Sequence, residues 1–187
     1  LTTRHSVADY FINKEPICIE LGQNELINCD AEEIQKGLDV VLLTCTNYKS
    51  TCYLRLLIDV PFQREERYSF FGYSNTIMGE LKGLSIDISI HDHFVGNIKD
   101  FDTTAIICDT FIPSKFKGFS GSPVYIPEHE IAVGIITNKL DGEVGFLSIS
   151  AISVILESKN IDLHNDYNKF DNTPYGRFSC KNSLKEW

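Results

Sequence analysis

The 187-residue chain is a succession of short runs rich in β-branched and aromatic residues, each closed by a turn. Ten stand out: "ICIEL" (17–21), "ELINC" (25–29), "LDVVLLTC" (38–45), "LRLLIDV" (54–60), "RYSFFGY" (67–73), "LSIDISI" (84–90), "TAIICDTFI" (104–112), "SPVYI" (122–126), "IAVGIITN" (131–138) and "GEVGFLSIS" (142–150). Side chains of these types fit a pleated, half-buried surface. "LSIDISI" alternates with period two, the pattern of a strand with one buried and one solvated face. So many strands separated by turns predict an all-β chain folded as barrels or sandwiches. Helix is scarce. The pattern predicts a turn or two at "SVADYF" (6–11), and a helix at "SAISVILESKN" (150–160), where Ile152, Ile155 and Leu156 share a face and Ser150 is placed to cap. From Ile161 the composition shifts to Asn, Asp and Lys without a period, and residues 161–187 read as a loose or docked tail.

With 43% hydrophobic residues, the chain is long enough for one large domain or two small packed barrels. Its 17 Lys and Arg stand against 26 Asp and Glu, a formal charge of −9, which repels polyanions and argues against a nucleic-acid partner. The longest apolar runs, "VVLL" and "IAVGII", fall far short of the roughly 20 residues that span a bilayer, so no membrane partner is expected. The six cysteines (Cys18, Cys29, Cys45, Cys52, Cys108, Cys180) are irregularly spaced with no CxxC, against a zinc ribbon or thioredoxin-type site. An even count permits disulfides. A chain of this size does not need such staples, however, and no signal peptide is visible, so free thiols in a reducing, cytoplasmic setting are expected. The opening "LTTRHSV" lacks a Met and lies directly in structured sequence, as in a piece of a larger multidomain protein.

Chemistry concentrates in "KGFSGSPVYI" (117–126). A turn alone needs only Gly and Pro, whereas a nucleophilic Ser120 also needs a base and an orienting acid elsewhere in the chain. The glycines let the backbone bend sharply enough for the N–H groups of Gly118 and Ser120 to face one small space, which is what an oxyanion hole requires. The nucleophile elbow of α/β-hydrolases fits poorly: Ser122 stands where that motif has Gly, and "PVYI" reads as a strand where it has a helix. Asp141 and His164 follow in the elbow's order, but too little chain remains for a doubly wound sheet. Of the histidines His5, His91, His93, His129 and His164, only His5 has motif-like surroundings, after a strand-like Leu-Thr and before a short helical turn.

The segment "LTTRHSV" resembles the histidine motif of chymotrypsin-like (trypsin-fold) serine proteases, Leu-Thr-Ala-Ala-His followed by a small residue and Val, with Thr3 and Arg4 in place of the two alanines. "LDVVLL" is similar to that family's Asp-opened strand and makes Asp39 the match. The order His5, Asp39, Ser120 is the family's order. The compact spacing resembles that of small bacterial or viral-type members with short loops. "EIAVGIITNK" looks like the strand lining the substrate cleft, and "GEVGFLSISAISVIL" like the next strand and the closing helix. The likeness spans roughly residues 1–156 and is weakest between 46 and 103.

This resemblance implies two packed antiparallel β-barrels. Residues 1–60 would form a first barrel carrying His5 and Asp39, without its initial strands because His5 ends a strand that is normally third. Residues 61–160 would form a second barrel carrying Ser120 and the closing helix. It implies a serine endopeptidase acting on polypeptide without a cofactor. Ser120 attacks the scissile carbonyl, His5 relays the proton, Asp39 fixes the imidazole, and the Gly118 and Ser120 N–H groups stabilise the oxyanion. The substrate pocket would have Ser114 as its floor and Thr137, Asn138, Lys139 and Gly145 as its walls. No acid stands at the floor to pair a buried Arg or Lys of the substrate, while Thr137, Lys139 and Lys117 suit a small, polar or acidic side chain. Phe119 stands where animal digestive proteases carry an Asp that pairs with a newly cut N-terminus, and no Cys flanks His5 or Ser120. Both features resemble intracellular or bacterial members. The rival reading is an inactive protease-like module that binds peptide; a weaker one is esterase or acyl-transfer chemistry on the same residues. His91 and His93 of "HDH" share a face if extended, but no third metal ligand is evident, and a surface turn is the ordinary reading. "YSFFGYSN" (68–75) reads as core plus a turn.

Overall fold

The computed structural model describes residues 1–21, 25–46, 48, 54–58, 68–74, 82–88, 94–98, 101–106, 118–127, 130–140 and 143–164. Strands β1 (Ile17–Leu21), β2 (Glu25–Glu33) and β3 (Val41–Cys45) form a three-stranded antiparallel sheet in chain order. β2 runs four residues past the expected "ELINC" because its acidic end continues the alternation: Ile27 and Cys29 are buried, while Asn28, Asp30 and Glu32 face solvent. On the other edge of β3, Thr2 forms an isolated antiparallel bridge with Val41. The chain then winds through a 3-10 turn (His5–Val7) into helix α1 (Ala8–Asn13), close to the turn expected at 6–11.

Among the described residues the rest of the chain holds nine strands: β4 (Arg55–Leu57), β5 (Tyr68–Ser74), β6 (Lys82–Ile88), β7 (Phe94–Ile98), β8 (Phe101–Ile106), β9 (Pro123–Ile126), β10 (Ile131–Leu140), β11 (Glu143–Ser148) and β12 (Leu163–His164). Their order is β6-β5-β9-β10-β11-β8-β7, and every pair along that path is antiparallel. One departure from the antiparallel expectation is β4, which runs parallel to both β10 and β12. The register supplies the reason. β11 pairs with β10 only from Gly134 onward, and β4 lies along Ile131 and Ala132, the edge that β11 leaves uncovered. The start of the expected tail is thereby drawn into the sheet as β12.

Helix α2 (Ile149–Ser158) follows β11 directly. Its cap is Ser148 rather than the expected Ser150: the Ser148 hydroxyl accepts from the Ala151 N–H at 3.2 Å. Ser150 lies one step inside the helix and donates instead to the Ile58 carbonyl. The buried face of α2, Ile149, Ile152 and Leu156, packs with Ile135 and Leu147 of the second sheet and with Ile34, Leu38 and Val40 from the β2–β3 connection. One apolar cluster therefore ties the two halves together. Among the described residues no helix is long and apolar enough to cross a membrane.

A second knot of packing lies beneath the "GFSG" turn. Phe119 is 1% exposed and meets Phe70 edge to face, with ring centroids 5.4 Å apart and planes at 86°. Gly72 makes the room, since a Cβ there would lie 2.5 Å from the Phe119 ring. Phe119→Ala is expected to cost about 3–5 kcal/mol of folding stability. Urea unfolding reports it as a lower midpoint at unchanged slope.

Candidate active site

Asp39 is aimed by its neighbours. Leu38 and Val40 on either side are 8% and 0% exposed and anchored in the apolar cluster, which turns the intervening Asp39 side chain outward. It sits in a bend two residues ahead of β3 rather than at the first strand position. The two hydrogen bonds of the Thr2–Val41 bridge, 3.1 and 2.9 Å, set the phase of the facing segment, and the Arg4 N–H reaches the Asp39 carbonyl at 3.3 Å. His5 follows on the 3-10 turn. Its backbone N–H donates to Asp39 Oδ1 at 2.9 Å, and its ring Nδ1 lies 2.5 Å from Asp39 Oδ2. One residue thus occupies both carboxylate oxygens. A carboxylate partner requires the proton on Nδ1, which leaves the Nε2 lone pair as the acceptor. The two side chains are 50% and 32% exposed, so solvent screens the contact and its value is orientation rather than stability.

The two departures from the histidine motif have local explanations. Thr3 is fully buried, and its hydroxyl pairs with Ser6 Oγ at 2.6 Å. Arg4 donates from Nε to Glu33 Oε1 at 2.5 Å and lies over the Phe11 ring at 4.9 Å, clamping the 3-10 turn and α1 to β2.

Ser120 occupies the second position of a tight turn closed by Ser122 N–H to the Phe119 carbonyl at 2.9 Å. The third position is Gly121 at φ +87°, the value a type II turn demands there. Gly118 takes φ +104° just before it. Reciprocal backbone bonds fix the turn to β10, Gly121 N–H to the Ile136 carbonyl at 2.7 Å and Ile136 N–H to the Ser122 carbonyl at 2.9 Å. The turn also abuts the histidine segment: a Cβ on Gly121 would lie 2.3 Å from Thr2 Oγ1, and Ser6 Oγ donates to the Ser120 carbonyl at 3.4 Å. Sequence reasoning did not single out Ser6, because nothing in a lone serine after a histidine signals a bond across the molecule.

Of the expected pocket walls, Thr137 is buried in β10 and Gly145 in β11. The β10–β11 register skips Thr137, pairing Ile136 with Phe146 and Asn138 with Gly145. Such a bulge re-aims a side chain relative to the regular pleat. Asn138 and Lys139 continue β10. Ser114, Lys117, Asp141, His91, His93 and His129 lie outside the described residues. His164, the other member of the elbow order, pairs with Leu57 in β12 and belongs to the sheet.

No family model matches the sequence, and no curated protein sequence matches it. Solved structures do match. The structure of a human pathogenic astrovirus serine protease is similar with a TM-score of 0.51 at 14% identity, over 79% of this chain and 75% of that one. The fold is chymotrypsin-like. At such low identity the likeness concerns the course of the backbone. His5 and Asp39 come from the first half of the chain and Ser120 from the second; the contact between the two segments is the bond from Ser6, the residue after His5, to the Ser120 carbonyl.

Proposed function

We propose that the protein is a serine endopeptidase of the trypsin-like type. The observation that carries this reading is the contact of His5 with both oxygens of Asp39, made beside a glycine-flanked serine turn that packs on the same segment. In this mechanism Asp39 holds the His5 ring with Nδ1 protonated. Nε2 accepts the Ser120 proton as Oγ attacks the scissile carbonyl, and later returns it to the leaving amine. The positive φ of Gly118 supports an oxyanion hole formed by its N–H and that of Ser120. Acyl-enzyme hydrolysis by water then restores the site. The buried, bulged Thr137 and the absence of a side chain at Gly145 support a pocket for small or polar substrate residues. The similar structure is a viral serine protease, which gives no support to a bacterial or intracellular type.

Labelling with a fluorophosphonate, which reports an activated serine, tests this directly. The folded protein is expected to label at Ser120, as mapped by mass spectrometry, and His5→Ala to abolish labelling. A folded protein that does not label, or labelling indifferent to His5, would favour the peptide-binding module instead.

A further inference from the structure

Free thiols are expected at all six cysteines; Cys52, Cys108 and Cys180 lie outside the described residues, among which Cys18, Cys29 and Cys45 are free. Two of them are nevertheless placed to react with each other. Cys29 on β2 and Cys45 on β3 are direct cross-strand partners.

The register explains why. Val41 exchanges both of its backbone hydrogen bonds with Thr2, so its N–H and C=O point away from β2. Alternation along the strand gives Leu43 and Cys45 the same orientation. Cys45 and Cys29 are therefore a non-hydrogen-bonded pair, in which the Cα atoms stand about 4.5 Å apart and the side chains approach most closely. That separation lies within the range a disulfide spans, roughly 4.4–6.8 Å between Cα atoms. Both side chains also share the face that carries Ile27 and Val41, which are 8% and 0% exposed. Cys18 differs on each count. It is exposed, pairs in register with Asn28 on the opposite face, and donates to that residue's Oδ1 at 3.2 Å.

We propose that Cys29 and Cys45 are a redox pair that closes reversibly into a cross-strand disulfide. Its oxidant is a low-molecular-weight disulfide such as oxidised glutathione. Cys45 is the more accessible of the two and attacks first: its thiolate displaces one glutathione thiolate and forms a mixed disulfide. The Cys29 thiolate then attacks the Cys45 sulfur and releases the second glutathione. Two protein thiols lose two protons and two electrons, and one oxidised glutathione becomes two reduced ones. The bond closes the base of the hairpin whose far end presents Asp39, so it confines that connection in the unfolded chain and raises stability.

The test is titration of the full chain with oxidised and reduced glutathione, followed by non-reducing peptide mapping and thermal melting. The expected result is a Cys29–Cys45 cross-linked peptide, removed by dithiothreitol, and a melting temperature roughly 5–10 °C higher in the oxidised form. Cys18→Ser is expected to leave both readouts unchanged, and Cys45→Ser to abolish both. Cys45→Ala repeats the second result without a new hydroxyl, and the melting of each variant under reducing conditions shows that it folds. The proposal is overturned if Cys29 or Cys45 links instead to Cys18, Cys52, Cys108 or Cys180. It is equally overturned if the two thiols end as separate glutathione adducts, or if oxidation leaves the melting temperature where it was.

Discussion

Ser120→Ala is expected to lower kcat on a peptide substrate by about 10⁶-fold while leaving the melting temperature unchanged. The two halves of that expectation rest on different atoms. In the proposed mechanism turnover depends on Oγ, the only heavy atom the substitution removes. The turn depends on Gly118 and Gly121 at positive φ, on the Ser122 N–H bonded to the Phe119 carbonyl, and on the Phe119 ring packed against Phe70. Even the bond from Ser6 uses the Ser120 carbonyl rather than its hydroxyl. Comparison of kcat with urea or thermal unfolding separates the two. A variant that keeps its turnover would sink the mechanism. A wild-type protein that cleaves nothing, yet binds peptide as tightly as the variant does, would move the molecule to the class of binding modules.

Asp39→Asn is expected to reduce kcat by about 10⁴-fold with KM little changed. The geometry shows how an isosteric change does this. Asp39 accepts two hydrogen bonds from His5, one from the backbone N–H and one from Nδ1. Asparagine has a single acceptor oxygen. If that oxygen keeps the backbone N–H, the amide NH₂ faces Nδ1 and can only donate to it. Nδ1 must then carry the lone pair and Nε2 the proton, which disables the atom that should receive the Ser120 proton. In the proposed mechanism Asp39 acts through His5, to which both its oxygens are bonded, so KM is expected to be spared and the loss to fall on the chemical step. A fall of less than tenfold in kcat, measured under saturating peptide, would show that Asp39 does not set the His5 tautomer.

The pairing of His5 with Asp39 came only from the likeness of their segments to a protease family's motifs. Strands and turns were legible because each leaves a mark in local pattern, alternation in the one case and glycine at a bend in the other. Features decided by distant contacts were not. β7, "FVGNI", is short and interrupted by glycine and asparagine, and gains its place by pairing with β8. β12 consists of Leu163 and His164, and no period can be read from two residues that become a strand only alongside β4. Ser148 and Ser150 are equally good caps by residue type. The choice falls to Ser148 because β11 ends and the helix begins without a connecting loop. The likeness of the histidine segment to a protease motif gave the order of His5, Asp39 and Ser120. The roles of Thr3, Arg4 and Ser6, by contrast, depend on which partners the tertiary fold brings to them.

The bridge between Thr2 and Val41 has a consequence for how such a protein tolerates change. It makes the meeting of His5 with Asp39 a matter of phase rather than of chain length. The antiparallel pair of β1 and β2 lies outside the rung, so length added to that hairpin does not enter the interval between the rung and either side chain. One residue added between Thr2 and His5, or between Asp39 and Val41, re-aims a side chain relative to the rung and parts the pair. Length variation among relatives of this chain should therefore gather in that hairpin and stop short of two brief intervals, each only a few residues long.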